Sequence, residues 1–378
     1  MKIPSDQLPS KKRNALFAAI TLIGTLVFLE IFTSWALMLR MRVANIEDFT
    51  KSEPTYLSLI NIPYKTGLKF GFFDRNTASG FEYRMTTEPK SQFGPDPELG
   101  YKPLPGKYEI IFSRRAFRSS EWERLPVNVT IKNDGSRWTG DCEPSNSTNV
   151  YIFGDSFVYG FGVNDEQTFA FLLQQARKET CVKLFAVTGY GMTQSFIQFH
   201  KLLAQIAPND IVLLGYADYF DARNVAAPSW LREVRDWHKS HGLPEASVML
   251  PKADLDNQGA IRISYVQQRC DENGGYCDRN DPAKDKMSRI TAALINGIAE
   301  TSSAPVYLLH FVGRKKNPVF GLLSDSVRRI SALAEDFDYV SRDHVPGFDH
   351  HPGPYWHYAI SRKLIETLAL PKSTHIAN

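Results

Sequence analysis

From residue 150 onward, short apolar runs alternate with stretches in which apolar positions recur every three to four residues. The runs at 150–153 (VYIF), 183–188 (KLFAVT), 210–215 (DIVLLG) and 305–310 (PVYLLH) read as buried strands, with a weaker one at 337–340 (FDYV). Helical periodicity falls at 167–178, 193–207, 285–301, 322–335 and 354–368. Strands that alternate with helices call for right-handed crossovers, and so for a parallel sheet covered on both faces. The segment 221–284 interrupts this rhythm with Pro, Trp and charged residues, and is expected to be an insertion over the carboxyl edge of the sheet. Upstream, 66–148 carries Gly, Pro, aromatics and alternating runs such as YEIIF at 108–112 and VNVTI at 127–131. The second run ends in Asn133-Asp134-Gly135, a tight-turn signal. The expected order is therefore a β-rich accessory region at 66–148, an α/β domain at 149–370 and a tail at 371–378.

The N-terminal pattern is different. Residues 14–39 hold no charge except Glu30, follow Lys11, Lys12 and Arg13, and precede Arg40 and Arg42. A helix crossing a bilayer core needs about 20 apolar residues, whereas a signal peptide has a core of about 7–15 and small residues at its cleavage site. The stretch reads as an uncleaved anchor, and the basic residues before it favour a cytoplasmic segment 1–13. A stalk at 40–65 and everything beyond it then lie on the far side, as in a single-pass inner-membrane protein with a periplasmic or extracellular domain. Glu30 inside the span is protonated, displaced toward the interface, or paired with a helix of a partner membrane protein.

Composition narrows the classes further. With 43% hydrophobic and 22% charged residues, the 378-residue chain is neither disordered nor a multi-span membrane protein. A net charge of +3 without long single-sign runs gives no footprint for nucleic acid. The four cysteines fit an oxidising compartment. Cys270 and Cys277 bracket a Gly-rich loop that could close a small disulfide, while Cys142 and Cys181 each precede an expected strand and could meet at one end of the sheet. No CxxC pair or close Cys/His spacing suggests a metal site, and no cofactor is expected.

Catalytic groups of a parallel α/β sheet gather where strands end and helices begin. Three such junctions stand out. The first is Gly154-Asp155-Ser156, where a sharp turn would expose the Ser156 hydroxyl and leave its N–H for an oxyanion. The second is Thr188-Gly189-Tyr190-Gly191, where Gly189 can bring a second N–H close. The third is Asp349-His350-His351-Pro352-Gly353, in which an Asp two residues before a His can orient the ring that takes the serine proton.

These residues resemble the SGNH, or GDSL-like, hydrolase family. GDSF followed by YGFGVNDEQTF is similar to the family's first block, and DHHPGPYWH to the block bearing its Asp and His. The resemblance covers about 150–368, with an echo upstream in DPELGYKP at 96–103 and NDGSR at 133–137, as in membrane-anchored bacterial members. It implies a three-layer, flavodoxin-like parallel sheet. It also implies Ser156 as nucleophile, His351 as general base, Asp349 as its orienting partner, and an oxyanion hole lined by Ser156 and Gly189. The family normally adds an Asn side chain after the third strand. Here that position falls on Ala217 or Asp218 according to register, and Arg223 or Asn224 could fold back to substitute. Tyr190, Tyr216 and His310, at strand ends, are candidates for substrate contact.

The expected function is a membrane-tethered serine esterase or O-acyltransferase working through an acyl-enzyme. Its substrate class, taken from the resemblance, is acyl esters of cell-surface carbohydrate, acetyl esters first. The alternative is a catalytically weak or inactive scaffold that binds a glycan or a partner membrane protein, since the family's Asn donor is missing from its usual position and an anionic Asp218 there would oppose an oxyanion.

Overall fold

The computed structural model describes residue 21 and residues 81–89, 91–116, 120–142, 148–240, 249–267, 280–333 and 351–368. Two compact units result: a smaller one that includes 81–84 and 113–124, and a larger one made of 85–112 and 125 onward. The unit boundary thus lies within the region expected to be accessory, most of which belongs to the same unit as the α/β sheet.

Five strands come first: β1 (Phe81–Glu88), β2 (Phe93–Asp96), β3 (Gly100–Pro103), β4 (Gly106–Ala116) and β5 (Glu123–Ile131). The chain order gives a three-stranded sheet β1-β4-β5 and an antiparallel ribbon β2-β3. Within the larger unit, period-two alternation turns Tyr108, Ile110 and Phe112 of β4 and Val127, Val129 and Ile131 of β5 into the core.

The α/β part then runs β6 (Thr148–Phe153), α1 (Ser156–Tyr159), α2 (Phe169–Ala176), β7 (Thr180–Leu184), α3 (Met192–Leu202), β8 (Ile211–Ala217) and α4 (Phe220–Asn224). It continues with α5 (Pro228–Ser240), β9 (Met249–Leu255), β10 (Ile261–Gln267), α6 (Lys284–Thr301), β11 (Val306–Val312), β12 (Val327–Ser331) and α7 (Pro354–Thr367). Five of these strands form one parallel sheet of order β12-β11-β8-β6-β7. The first strand, β6, has the second on one side and the third on the other, the flavodoxin-like order with its switch point between β6 and β8. Every residue of β8 is buried, as a central strand covered on both faces requires.

The stretch 322–335, expected to be a helix, instead contains β12. Among its apolar residues, Val327, Ile330 and Leu333 are three apart, which imitates a helical stripe. The strand pairs with β11 at the sheet edge, where only Val327 and Ile330 need burial. The expected strand at 337–340 lies outside the described residues.

The insertion folds as α5 and the antiparallel hairpin β9-β10. Leu231 and Val234 of α5 and Leu250 of β9 share a small core with Phe93, Leu99 and Tyr101 of the β2-β3 ribbon. Cys142 and Cys181 form a disulfide, with Cα atoms 5.4 Å apart. Cys270, Cys277 and Glu30 lie outside the described residues, as do the stalk, the tail and, apart from Thr21, the apolar stretch 14–39. Among the described residues, no helix is long and apolar enough to cross a membrane.

Candidate active site

The turn that presents Ser156 is built by small residues under a short helix. A Cβ on Gly154 would lie 2.6 Å from Val158 Cγ2, and one on Gly215 of the neighbouring strand 2.3 Å from the same atom. Both positions need glycine because α1 sits directly on β6 and β8. Asp155 caps that helix by accepting the Phe157 N–H (3.1 Å), and Gly160 closes it at φ +85°.

The loop beyond α1 is held by Arg137, which has almost no exposed surface. Its guanidinium donates to the carbonyls of Tyr159 and Gly160 (both 2.8 Å) and Val163 (2.7 Å), and pairs with Asp165 at 2.8 Å. Burial pushes the Asp165 carboxyl up against the downward pull of this arginine. The NDGSR segment therefore orders the loop that follows the nucleophile.

His351 Nε2 lies 2.8 Å from Ser156 Oγ. Phe157 and Phe161 flank the imidazole, with ring centroids 5.2 and 4.7 Å from it. Behind them, Trp356 at the start of α7 packs edge-on against Phe157 and Phe311. Asp349, the expected orienting residue, and His350 lie outside the described residues.

A cavity of about 340 Å³ opens at this pair. Ser156, His351, Phe157 and Phe161 line it together with Thr188 and Gly189, and Tyr101, Tyr219, Arg223, Trp230, Glu233 and Val234 complete the lining. Gly189 has φ +84°, and a Cβ there would sit 2.4 Å from Tyr101 Oη. The position is closed to side chains by backbone and by space. Tyr101 in turn donates to the Thr188 carbonyl (2.7 Å). Ser156 and Gly189, the two residues expected to supply oxyanion amides, thus share one cavity.

The residues proposed for the third donor separate. Asp218 faces away from the cavity: its carboxylate accepts from Asn317 Nδ2 (2.6 Å) and the Arg314 N–H (3.0 Å), and lies 3.2 Å from His310 Nε2. Asn224, fully buried, accepts the Met192 and Thr193 N–H groups (2.6 and 3.2 Å) at the start of α3 and donates to Thr291 (2.8 Å). Neither lines the cavity. Arg223 does, and its Nη1 donates to Asp155 Oδ2 (3.1 Å) and to the Tyr190 carbonyl (2.9 Å). Its guanidinium lies 4.4 Å from the ring centres of both Tyr219 and Trp230. Tyr219 also donates to Asp155 Oδ2 (2.5 Å), and burial pushes its phenol well above the ordinary range, so it remains a donor.

The residues expected to touch substrate are placed elsewhere. Tyr190 is buried with its hydroxyl on the Tyr101 carbonyl. Tyr216 is buried against Asn317 and Asp221. His310 is buried beside Asp218 and packs edge-on against Phe320. None of the three lines the cavity. Sequence position at a strand end does not tell which residues border the cavity: Tyr216, on β8 at the switch point, is buried in the core, while Thr188 and Gly189, beyond the edge strand β7, line the space. The cavity residues overlooked in the sequence had partial signals: Phe157 and Phe161 lie inside the GDSF block and Tyr101 inside the upstream echo, while Trp230 and Glu233 of the insertion had none. Among the described residues, no three His, Cys, Asp or Glu side chains are placed to hold a metal.

No family profile matches the chain, and no curated protein is significantly similar to it in sequence. Among solved structures it is similar to the psychrotrophic esterase EstA from Pseudoalteromonas sp., at 12% identity over 58% of this chain and 96% of that one, with a TM-score of 0.33. It is also similar to a member of the lipolytic G-D-S-L protein family from Veillonella parvula (10% identity, 59% and 98% coverage, TM-score 0.30). An acetylxylan esterase from Geobacillus stearothermophilus, a catalytic mutant, matches at 12% identity over 61% and 98%, with a TM-score of 0.31. At this level of likeness, the fold is read from the strand order itself.

Proposed function

We propose that this chain is a serine esterase or O-acyltransferase of the SGNH type, acting on acyl esters of carbohydrate, acetyl esters foremost. The observation that carries the reading is the 2.8 Å contact between Ser156 Oγ and His351 Nε2 at the mouth of a cavity that also contains Gly189. Ser156 Oγ attacks the ester carbonyl carbon as its proton passes to His351 Nε2, and the carbonyl π electrons move onto oxygen. The N–H groups of Ser156 and Gly189 receive that oxyanion. Collapse breaks the ester C–O bond, the departing alkoxide takes the proton from His351, and water or a sugar hydroxyl then resolves the acyl-enzyme by the reverse path. Asp349 is assigned to hold the imidazole tautomer. The Asp218 carboxylate is turned toward His310 and Asn317, which supports an oxyanion site free of its charge.

Support for a carbohydrate acceptor comes from α5, where Trp230 and Glu233, three residues apart and so neighbours on the helix, bring an indole and an exposed carboxylate to the cavity. The apolar stretch 14–39 supports a tether to the membrane, and the Cys142–Cys181 disulfide supports an oxidising compartment on its far side. The test is hydrolysis of p-nitrophenyl acetate and deacetylation of an acetylated glycan by the full-length protein in detergent. Turnover by the wild type, lost in Ser156→Ala, is expected. Equal rates in the two would remove the proposal.

A further inference from the structure

We infer that the Arg223 guanidinium is the third oxyanion donor, doing the work that an amide side chain does in the family this chain resembles. The inference rests on the esterase reading and deepens it by naming a catalytic residue.

Arg223 Nη1 bridges two loops. One of its acceptors, Asp155, directly precedes Ser156; the other, the Tyr190 carbonyl, belongs to the residue after Gly189. The guanidinium therefore sits beside both residues whose amides would hold the oxyanion. Its position is fixed on three sides: by the wholly buried Asp155 carboxylate, by the Tyr219 ring and by the Trp230 ring. Nε and Nη2 make no hydrogen bond to any described residue, yet the side chain is one of those lining the cavity and is 14% exposed. An arginine buried merely as a clamp would be expected to spend these donors on the protein. Here a permanent cation with unspent N–H groups borders the same cavity as Ser156, the space where an ester carbonyl must lie to be reached by the serine. Asp155 balances the charge from the side away from the cavity, so the pair presents its positive end to the developing oxyanion. In a half-enclosed, aromatic-walled cavity such a fixed cation acts with little solvent screening. Asn224, the competing candidate, is committed to the N-terminus of α3 and has no route to the site.

The test separates a transition-state donor from a clamp. Fluorophosphonate labelling of Ser156 builds negative charge on a phosphoryl oxygen in the oxyanion position. Alkylation of a Ser156→Cys thiol by iodoacetamide, run at a pH where the thiol is fully ionised in both variants, builds no oxyanion and reads the geometry of the nucleophile. Arg223→Gln is expected to slow fluorophosphonate labelling about 10²–10³-fold, with Arg223→Lys intermediate. In the Ser156→Cys background, the same Arg223→Gln change should leave alkylation within about threefold. For p-nitrophenyl acetate the loss should fall on kcat, with KM nearly constant. Labelling of Arg223→Gln within about threefold of wild type overturns the assignment, and so do labelling and alkylation falling together. If Arg223→Gln fails to fold by thermal melting, Arg223→Lys decides on the same two rates. Wild-type protein that takes up no probe at Ser156 sinks the esterase reading itself, whereas a labelled wild type with an unaffected variant sinks only the role of Arg223.

Discussion

His351 Nε2 lies 2.8 Å from Ser156 Oγ across 195 residues of sequence, with Phe157 and Phe161 packed against the imidazole. Both phenylalanines come from the nucleophile's own turn, so the serine loop positions its base as well as its hydroxyl. His351→Gln keeps a polar side chain and removes the base. It should lower kcat for p-nitrophenyl acetate about 10²–10⁴-fold, with the melting temperature nearly unchanged. A loss of fivefold or less would mean that the pair is structural.

Gly189 and Tyr101 make a second coupled pair. Gly189→Ala places a methyl 2.4 Å from Tyr101 Oη at a φ of +84°, so it should both destabilise the fold and displace an oxyanion amide. Strain of this kind costs about 1–2 kcal/mol from the backbone alone. Tyr101→Phe removes the colliding oxygen, at the expense of its bond to the Thr188 carbonyl. In a double-mutant cycle followed by kcat, the Phe change should partly restore Gly189→Ala while slightly harming wild type. Strictly additive losses would contradict the collision.

Much of this was legible in the sequence, and the parts that were not share a cause. Strands β6, β8 and β11 announced themselves because central parallel strands are apolar throughout, and Ser156, Gly189 and His351 because strand-to-helix junctions are where such residues are useful. Strand β12 was hidden by its place at the edge: with Val327 and Ile330 as its buried residues, the three-residue spacing copies a helix. The cavity walls were hidden because they come from chain remote in sequence. Tyr101 arrives from the β2-β3 ribbon, Trp230 and Glu233 from the inserted helix, and the packing of Leu231, Val234 and Leu250 against Phe93 and Leu99 helps bring them together. Tyr190 and Tyr216 lie at strand ends, the usual place for contacts, but acceptors within the fold claim their hydroxyls.

Acid should weaken the fold through His357. Burial, with Arg137 adding to it, lowers this fully buried imidazole to about 3 from an ordinary 6.5, and its Nδ1 accepts the Phe169 N–H (3.3 Å). The unfolded chain binds a proton that the folded one refuses, so this contribution is intact above pH 6.5 and is lost as pH falls from there toward 3. Between pH 7.5 and 5 the loss from this group is about 2 kcal/mol. His357→Gln keeps an acceptor for Phe169 and does not titrate. Its urea-unfolding free energy should fall by about that much less than wild type over this range. Equal falls would place the acid sensitivity elsewhere.

The Cys142–Cys181 disulfide closes 39 residues of chain between the end of the β-rich segment and β7. Replacing both cysteines by serine should destabilise the larger unit by about 2–4 kcal/mol, and reductant should shift wild type by a similar amount. The site lies apart from this link, so activity below the new melting transition should persist. Denaturant midpoints with and without dithiothreitol measure the effect. A wild type indifferent to reductant would show that the link adds nothing to stability.

The most direct test is to look for the acyl group itself. Full-length protein mixed with p-nitrophenyl acetate, acid-quenched within seconds and digested, is analysed by peptide mass spectrometry for acetylation at Ser156. An acetyl adduct on Ser156 in wild type is predicted, missing in Ser156→Ala and strongly reduced in His351→Gln. An adduct that forms equally without His351, or wild-type turnover that proceeds with no acetyl ever found on Ser156, would contradict nucleophilic catalysis at this site.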